Sequence, residues 1–168
     1  MTNFMKELKP DTLEDIIAGV SLYRPGPMDQ IPRYIANKKD PDHAVYTHPS
    51  LKPILKVTYG CMVYQEQVMQ IVRDLAGYSL GRADLVRRAM GKKKLDVMAK
   101  EREIFIHGQT DENGKIVVPG CIRNGIDEQS ANKIFDEMAE FAKYAFNKSH
   151  AAAYAVVSYR TAYLKAYY

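Results

Sequence analysis

The sequence predicts a mostly α-helical domain, an irregular arrangement of about seven to eight helices with at most one short β-hairpin. Apolar residues recur at spacings of three and four over most of the chain, and residues that cap helices precede several of these stretches. Only residues 108–120 combine a turn signal with a β-branched run, which predicts the hairpin there. A chain of 168 residues is long enough for one core, so residues 1–168 are predicted to be a single domain.

The first predicted helix begins just after Asp11, its expected N-cap. Glu14 stands three residues later, which is the spacing of a capping box. Apolar side chains from Leu13 to Val20 follow at helical spacing. The helix is expected to end before the loop at 23–27, because the two prolines of that loop fix its backbone and push the preceding residues towards extended geometry.

Two short helices are expected after this loop, over residues 28–37 and 47–55. A polar connection separates them, and it contains two aspartates that flank a proline at 40–42. The second helix has Pro49 in its first turn, where the missing N–H of proline costs no hydrogen bond.

Three helices are predicted in the middle of the chain. The first begins near Tyr64 after an extended stretch, carries one apolar stripe and ends at Gly77. Ser79 is the expected N-cap of the second, which ends at residue 89 or 90 with Gly91 as the left-handed residue beyond it. The third covers approximately residues 95–106.

The sequence predicts the hairpin and two further helices in the last third of the chain. Asn113 and Gly114 form the expected hairpin turn, and Asp127 is the N-cap of the helix that follows. The final helix starts at residues 147–149 and continues to the last residue. An end inside a helix indicates a module of a longer protein.

Several functional classes find no support in the sequence. No stretch approaches eighteen consecutive apolar residues and no leader precedes the first helix, so a soluble, cytoplasmic protein without a membrane segment is expected. Cys61 and Cys121 are isolated and predicted to be buried thiols. No Walker loop, zinc-protease motif or histidine ligand spacing occurs, and residues 40–42 are interpreted as a loop. No catalytic or metal-binding residue is therefore predicted.

Positive charge is concentrated in one segment. The chain carries a formal net charge of +4, and residues 82–102 alone hold eight cations and three anions. Arg87, Arg88, Lys92, Lys93 and Lys94 lie at a predicted helix end. One interpretation is a solvated helix end in which Asp84 pairs with an arginine. The other is a polyphosphate ligand, because guanidinium and ammonium groups form charge-assisted hydrogen bonds with phosphate oxygens.

A second candidate anion site is the start of the last helix. A helix N-terminus presents free amide donors and a positive dipole end, and side-chain donors accompany it here. Tyr154, one turn further on, offers a flat face to a base, although tyrosines on helices more often pack in cores. Arg24 in the proline-braced loop and Gln65 in a first helical turn are weaker candidates. The donors at this helix start are Asn147, Lys148, Ser149 and His150.

Four blocks of the sequence together resemble a known family, the fingers region of the bacterial replicative DNA polymerase III alpha subunit. The resemblance runs in order along essentially the whole chain. The blocks are LYRPGP at 22–27, TYGCMVYQEQVMQI at 58–71, AGYSLGRADLVRRAMGKKK at 76–94 and FNKSHAAAYAVVSYRTAYLKAYY at 146–168.

The resemblance implies a module that closes over an incoming deoxynucleoside triphosphate and helps to hold the template and nascent base pair. It places the catalytic aspartates in a palm domain outside this chain, with Mg²⁺ in the parent polymerase and no cofactor bound here. The implied partners are primer-template DNA, the palm and thumb domains, and replisome subunits such as the sliding clamp through other domains. The implied phosphate-binding residues are Arg24, Arg87, Arg88, Lys92, Lys148, Ser149 and His150. The implied DNA or base-pair contacts are Tyr64, Gln65, Lys93, Lys94, Asn147 and Tyr154.

Two other interpretations stay open from the residues alone. The basic segment and the terminal tyrosines also suit a non-catalytic, basic helical module that binds nucleic acid. A purely structural helical domain is the third possibility, and it requires the small residues of the last helix rather than the cations.

Overall fold

The computed structural model describes residues 1–92 and 94–168, and it confirms a mostly α-helical fold with one short hairpin. The described residues form nine α-helices, slightly more than predicted, with four short 3-10 turns between them. The helices are α1 (Thr2–Leu8), α2 (Leu13–Leu22), α3 (Ile31–Lys39), α4 (Lys52–Leu55), α5 (Gln65–Ala76), α6 (Leu80–Gly91), α7 (Leu95–His107), α8 (Glu128–Phe141) and α9 (Lys148–Tyr167).

The predicted hairpin is present between α7 and α8. Strand β1 (Gln109–Thr110) pairs antiparallel with β2 (Ile116–Val118), and Gly114 takes the positive φ that the turn requires. Below the strands, Gly108 and Gly120 lie against each other with positive φ, so that a Cβ on either would overlap the backbone of the opposite segment. The chain therefore leaves and re-enters the helical body through one narrow contact.

Two hydrophobic clusters build the interior. The larger core lies among α4 to α8, with Phe105 and Phe135 at its centre and Val118 covering it from the hairpin. The smaller core joins α1, α2 and α3 to the first turns of α9, where Ala151 and Ala155 are fully buried. Burial of apolar surface, at roughly 25 cal/mol per Å², is the main favourable term in both.

One backbone contact brings the starts of α5 and α9 together. Tyr64 and Phe146 form an isolated parallel β-bridge, in which Gln65 N donates to Phe146 O at 2.9 Å. Helix α5 begins at the residue after Tyr64, and α9 begins at Lys148, two residues after Phe146. The N-termini of two long helices therefore start side by side, although they are far apart in the sequence.

Most predicted helix boundaries are confirmed. The side chain of Ser79 accepts from Arg82 N, that of Asp127 from Ser130 N and that of Asn147 from His150 N. Gly77 ends α5 in the left-handed conformation. These signals are local, since each cap bonds to a backbone group three residues away.

Three local predictions were wrong. The N-cap of α2 is Thr12 rather than Asp11, and its capping-box partner is Asp15 rather than Glu14. Gly91 belongs to α6 itself, which ends with Lys92 as its C-cap. Helix α1 was not predicted, because Met1 makes no side-chain cap and the helix is held only by two buried residues, Phe4 and Leu8.

Both cysteines are buried and free, as predicted. Burial disfavours the thiolate and raises the pKa of Cys61 to about 11 and that of Cys121 to about 12. Among the described residues, no helix has both the length and the hydropathy that a membrane crossing requires.

The cap of α2 provides a direct test of this fold. Thr12→Ala removes the hydroxyl that accepts from Asp15 N at 3.2 Å, and we expect a loss of about 1 kcal/mol in the free energy of unfolding. Asp11→Ala is the matched control and should cost no more than about 0.5 kcal/mol, because the side chain of Asp11 is 75% exposed. Urea unfolding of the chain measures both, and a larger loss for Asp11→Ala would contradict the observed cap.

Candidate functional site

The candidate site surrounds the two helix starts that the bridge brings together, which we call the two-helix junction (residues 64–66 and 146–148). Asn147 caps α9 by accepting from His150 N at 2.9 Å. Its side-chain nitrogen donates to Glu66 Oε1 at 2.9 Å, and Lys148 N lies 3.2 Å from both oxygens of the same carboxylate. A carboxylate from the first turn of α5 thus sits at the N-terminus of α9.

Arg87 reaches this junction from α6. Its guanidinium donates to Asp84 Oδ1 at 2.7 and 3.0 Å, and its Nη1 donates to Gln65 Oε1 at 3.0 Å. Arg88 binds the other oxygen of Asp84 at 2.7 Å. One carboxylate therefore holds two neighbouring arginines, and the hydrogen bond from Arg87 is the main reason that the pKa of Asp84 lies below its ordinary value.

Arg24 approaches the junction from the loop between α2 and α3. Its Nε donates to Ser21 O at 2.9 Å and its Nη2 to Tyr144 O at 2.7 Å, while its guanidinium lies 4.2 Å from the ring centre of Phe146. No carboxylate pairs with Arg24 within residues 1–92 and 94–168. Burial lowers the pKa of this guanidinium, but its charge is held in place by carbonyl oxygens and an aromatic face.

Lys148 carries the fourth cation of the junction. Its Nζ lies 2.9 Å from a carboxylate oxygen of Glu14 and 5.3 Å from the ring centre of Tyr64. The N-terminal half of α2 therefore contributes an acid to the same site. Both side chains of this ion pair are partly exposed, so the pair is accessible to a competing anion.

An aromatic row extends from the junction along α9. The rings of Phe146 and His150 are 5.5 Å apart, and those of His150 and Tyr154 are 4.8 Å apart with an edge-on geometry. Tyr154 is 56% exposed, and Ser149 is also exposed beside it. This row presents an accessible aromatic surface next to the cations.

The remaining predicted cations lie beyond the end of α6. Lys92 and Lys94 are exposed, and Lys93 lies outside the described residues. A Cβ on Gly91 would lie 3.4 Å from Ala142 O, so the end of α6 is close to the segment that leads into α9. The basic segment and the α9 start, separate in the sequence, are therefore neighbours in the fold.

One site expectation needs correction. Tyr64 was expected to contact DNA, but its side chain is 1% exposed and packs in the smaller core, where its ring supports Lys148.

Glu66 and Glu14 were missed as parts of this site. Glu14 was interpreted only as a capping-box residue and Glu66 was not singled out, whereas the structure places each against α9. The backbone N–H of Lys148 was expected to be free for a ligand and already has Glu66 as its partner. No local signal distinguishes such an acid from an ordinary first-turn acid, because the contacts cross more than eighty positions of the chain.

In the part of the chain that the structure describes, histidine, cysteine, aspartate and glutamate side chains form no group of three or more that is suited to a metal ion. The polar chemistry of the junction is instead that of arginine, lysine and amide donors. These features define a helical module that presents several cations and one aromatic row around two adjacent helix starts, a design suited to phosphate groups and bases.

Comparison with known proteins agrees with this description. Residues 1–113 match the family model described as the bacterial DNA polymerase III alpha subunit finger domain. The chain belongs to this family. The prediction that residues 1–168 form a single domain stays a prediction.

Curated relatives extend the similarity over the whole chain. It is 54% identical over 168 residues to a protein of Xylella fastidiosa, and 53% identical over 171 residues to one of Chlamydia trachomatis. A protein of Thermus aquaticus is 51% identical over 173 residues. All three are named DNA polymerase III subunit alpha, and each match covers 100% of this chain and 13% of the relative. The chain thus spans about an eighth of the length of these relatives.

The Asp84 cluster makes the stability of the chain dependent on pH. Because the folded pKa of Asp84 is below its ordinary value of 3.8, its contribution is present above that pH and is lost as the pH falls through the folded pKa. We expect the stability difference between the parent chain and Asp84→Asn to be constant from about pH 7 to 5 and to shrink below about pH 4.

Urea unfolding at each pH measures this difference. Asp42→Asn changes an exposed aspartate after α3, and it is the control for the pH dependence that loss of any exposed carboxylate causes. A difference that persists undiminished to about pH 2 would show that Asp84 does not hold the arginines through its charge.

Proposed function

We propose that this chain is the fingers module of a replicative DNA-directed DNA polymerase. In this proposal it binds the triphosphate of the incoming deoxynucleotide and the template and nascent base pair. Palm aspartates outside the chain hold Mg²⁺ and carry out nucleotidyl transfer. The observation that supports the proposal best is the convergence of Arg24, Arg87 and Lys148, from three separate parts of the chain, on the two-helix junction.

The electrostatics of the junction suit a triphosphate. In phosphoryl transfer the protein mainly positions the reactants and stabilises charge on phosphate oxygens. The bonds of Arg87 to Asp84 and Gln65 orient its guanidinium and leave further N–H donors for a ligand oxygen. An orientation fixed in advance lowers the entropy that binding costs.

The outer cations extend this surface. Arg88, 62% exposed, and the exposed Lys92 and Lys94 continue the positive field from the junction along the end of α6. A row of cations of this length suits a DNA backbone or a triphosphate better than a single small anion. The aromatic row from His150 to Tyr154 continues from the junction along α9 and suits the base pair.

The proposed partners follow from the same assignment of binding to this chain and of nucleotidyl transfer to the palm. Primer-template DNA and the nucleotide contact the junction, and the palm and thumb domains of the longer polymerase surround it. Contacts with replisome subunits such as the sliding clamp are proposed for other domains. The proposed compartment is the cytoplasm, where bacterial DNA is replicated.

Loss of one junction cation should impair nucleotide use. In the complete polymerase, we expect Arg87→Ala or Lys148→Ala to weaken nucleotide use by about 2 to 3 kcal/mol, a fall of about 30- to 150-fold in kcat/KM, since each removes a charge-assisted contact. Steady-state primer extension at varied nucleotide concentration measures the effect.

Arg123→Ala is the matched control for this experiment. Arg123 is exposed, and its neighbour Asn124 bonds to Leu75 O at the opposite end of α5 from the junction. The kcat/KM of the Arg123→Ala variant should stay within about twofold of that of the parent enzyme. Unchanged nucleotide KM and kcat in both junction variants would contradict the proposed function.

One observation favours a second candidate, a non-catalytic basic module that binds nucleic acid. Helix α9 contains Lys148, Arg160 and Lys165 and no acidic residue, and its exposed aromatic side chains include Tyr159 and Tyr163. Such a helix is able to bind a nucleic-acid strand without any other domain.

The isolated chain separates the two candidates. As a polymerase module it should bind primer-template DNA only weakly, because palm and thumb are missing, and it should not extend a primer with Mg²⁺ or any other metal. Fluorescence anisotropy over a salt series and a gel extension assay measure both properties. Tight DNA binding that falls steeply with salt supports the second candidate. Measurable primer extension by the pure chain would contradict the proposal that the catalytic aspartates lie outside it.

A further inference from the structure

The Glu66 carboxylate makes a contact between two helices that the proposed function does not use. It accepts hydrogen bonds from the side-chain nitrogen of Asn147 and from Lys148 N. The same Asn147 amide accepts from His150 N through its oxygen. Both ends of this amide are therefore assigned, and only one of its two orientations satisfies the donors and acceptors around it.

We propose that Glu66 is a positioning residue: by fixing the orientation of the Asn147 amide, it sets the start of α9 and with it the placement of Lys148, His150 and Tyr154 towards the nucleotide. This inference rests on the proposed function and deepens it. Glu66 itself does not touch the ligand; it acts through Asn147.

The proposal depends on a property that only a carboxylate has. Both oxygens accept and neither donates: Oε1 accepts from the Asn147 amide nitrogen and from Lys148 N, and Oε2 also lies 3.2 Å from Lys148 N. A glutamine has one acceptor and one donor. With its nitrogen at the Oε1 position, the glutamine opposes the nitrogen of Asn147, and Asn147 turns over and loses the oxygen that caps His150 N. With its nitrogen at the Oε2 position, it opposes Lys148 N at 3.2 Å. Either orientation sets two donors against each other at the start of α9.

The position of Glu66 makes this orientation consequential. It is half-buried in the first turn of α5, next to Gln65, which accepts from Arg87. The bridge at Tyr64 and Phe146 fixes the backbones on both sides of the contact. A change in the Asn147 amide is therefore transmitted along α9, whose first residues carry the aromatic row, while the start of α5 stays in place.

A reversed pair of substitutions tests the inference in the complete polymerase. Glu66→Gln and Asn147→Asp each create a mismatch, the first between two donors and the second between two carboxylates. Together they restore the hydrogen bond between positions 66 and 147 with donor and acceptor exchanged. The amide nitrogen now at position 66 donates to the carboxylate now at position 147, and the other oxygen of that carboxylate still accepts from His150 N. We expect each single variant to raise the nucleotide KM about tenfold and the double variant to return it to within about threefold.

Two further measurements make the test specific. Glu128→Gln, which removes an acid from the first turn of α8, is the matched control and should leave nucleotide kinetics unchanged. Amide hydrogen exchange at the start of α9 reports the cap itself, and protection at His150 should fall in both single variants and recover in the double variant. If the single variants do not fold, recovery of folded protein in the double variant supports the inference, and failure to recover overturns it.

The overturning results are distinct from a failure of the proposed function. Three results overturn the positioning role. The first is a double variant whose nucleotide KM is as high as that of the worse single variant. The others are a KM that Glu66→Gln leaves unchanged or lowers, and a loss of exchange protection at His150 without a change in KM. The proposed function is judged by Arg87→Ala and Lys148→Ala in the same assay, whatever Glu66→Gln does.

Discussion

The parallel bridge between Tyr64 and Phe146 is the contact on which the rest of the site depends. It is a single backbone contact, but it fixes where two helices begin, and helix starts carry unpaired N–H groups and partial positive charge. Because α5 and α9 start on either side of it, side chains from α2, α6 and the proline-braced loop reach one location. The bridge is itself held by the apolar packing of Tyr64 in the smaller core.

The junction balances its charges internally before any ligand is present. Asp84 holds Arg87 and Arg88, Glu14 holds Lys148, and Glu66 occupies the start of α9. These acids reduce repulsion among the cations and fix their directions, at the cost of some of their attraction for phosphate. Arg24 differs, since carbonyl oxygens and the ring of Phe146 hold it instead. Under the proposed function, these side chains are ordered in advance and exchange their internal partners for the oxygens of the nucleotide.

The family assignment and the geometry explain different things. Membership of the DNA polymerase III alpha finger family gives the context, a module that covers 13% of the length of its relatives. The geometry gives candidates for individual roles within that module, from the oriented guanidinium of Arg87 to the exposed face of Tyr154. The proposed function combines the two: binding and orientation are supplied here, and bond formation by another domain.

The sequence by itself determined the helical class, the hairpin, most helix boundaries and the concentration of cations near residues 87–94. These features depend on residues within one or two turns of each other, as at the caps Ser79, Asp127 and Asn147. Only the tertiary structure decided which of the candidate residues meet. Glu66 and Asn147 are 81 positions apart, and Arg24 and Tyr144 are 120 apart, so packing of the two cores chooses these partners. For the same reason Tyr64, which the family resemblance implied to contact DNA, is buried: the residues that cover it come from α9 and from α1, α2 and α3.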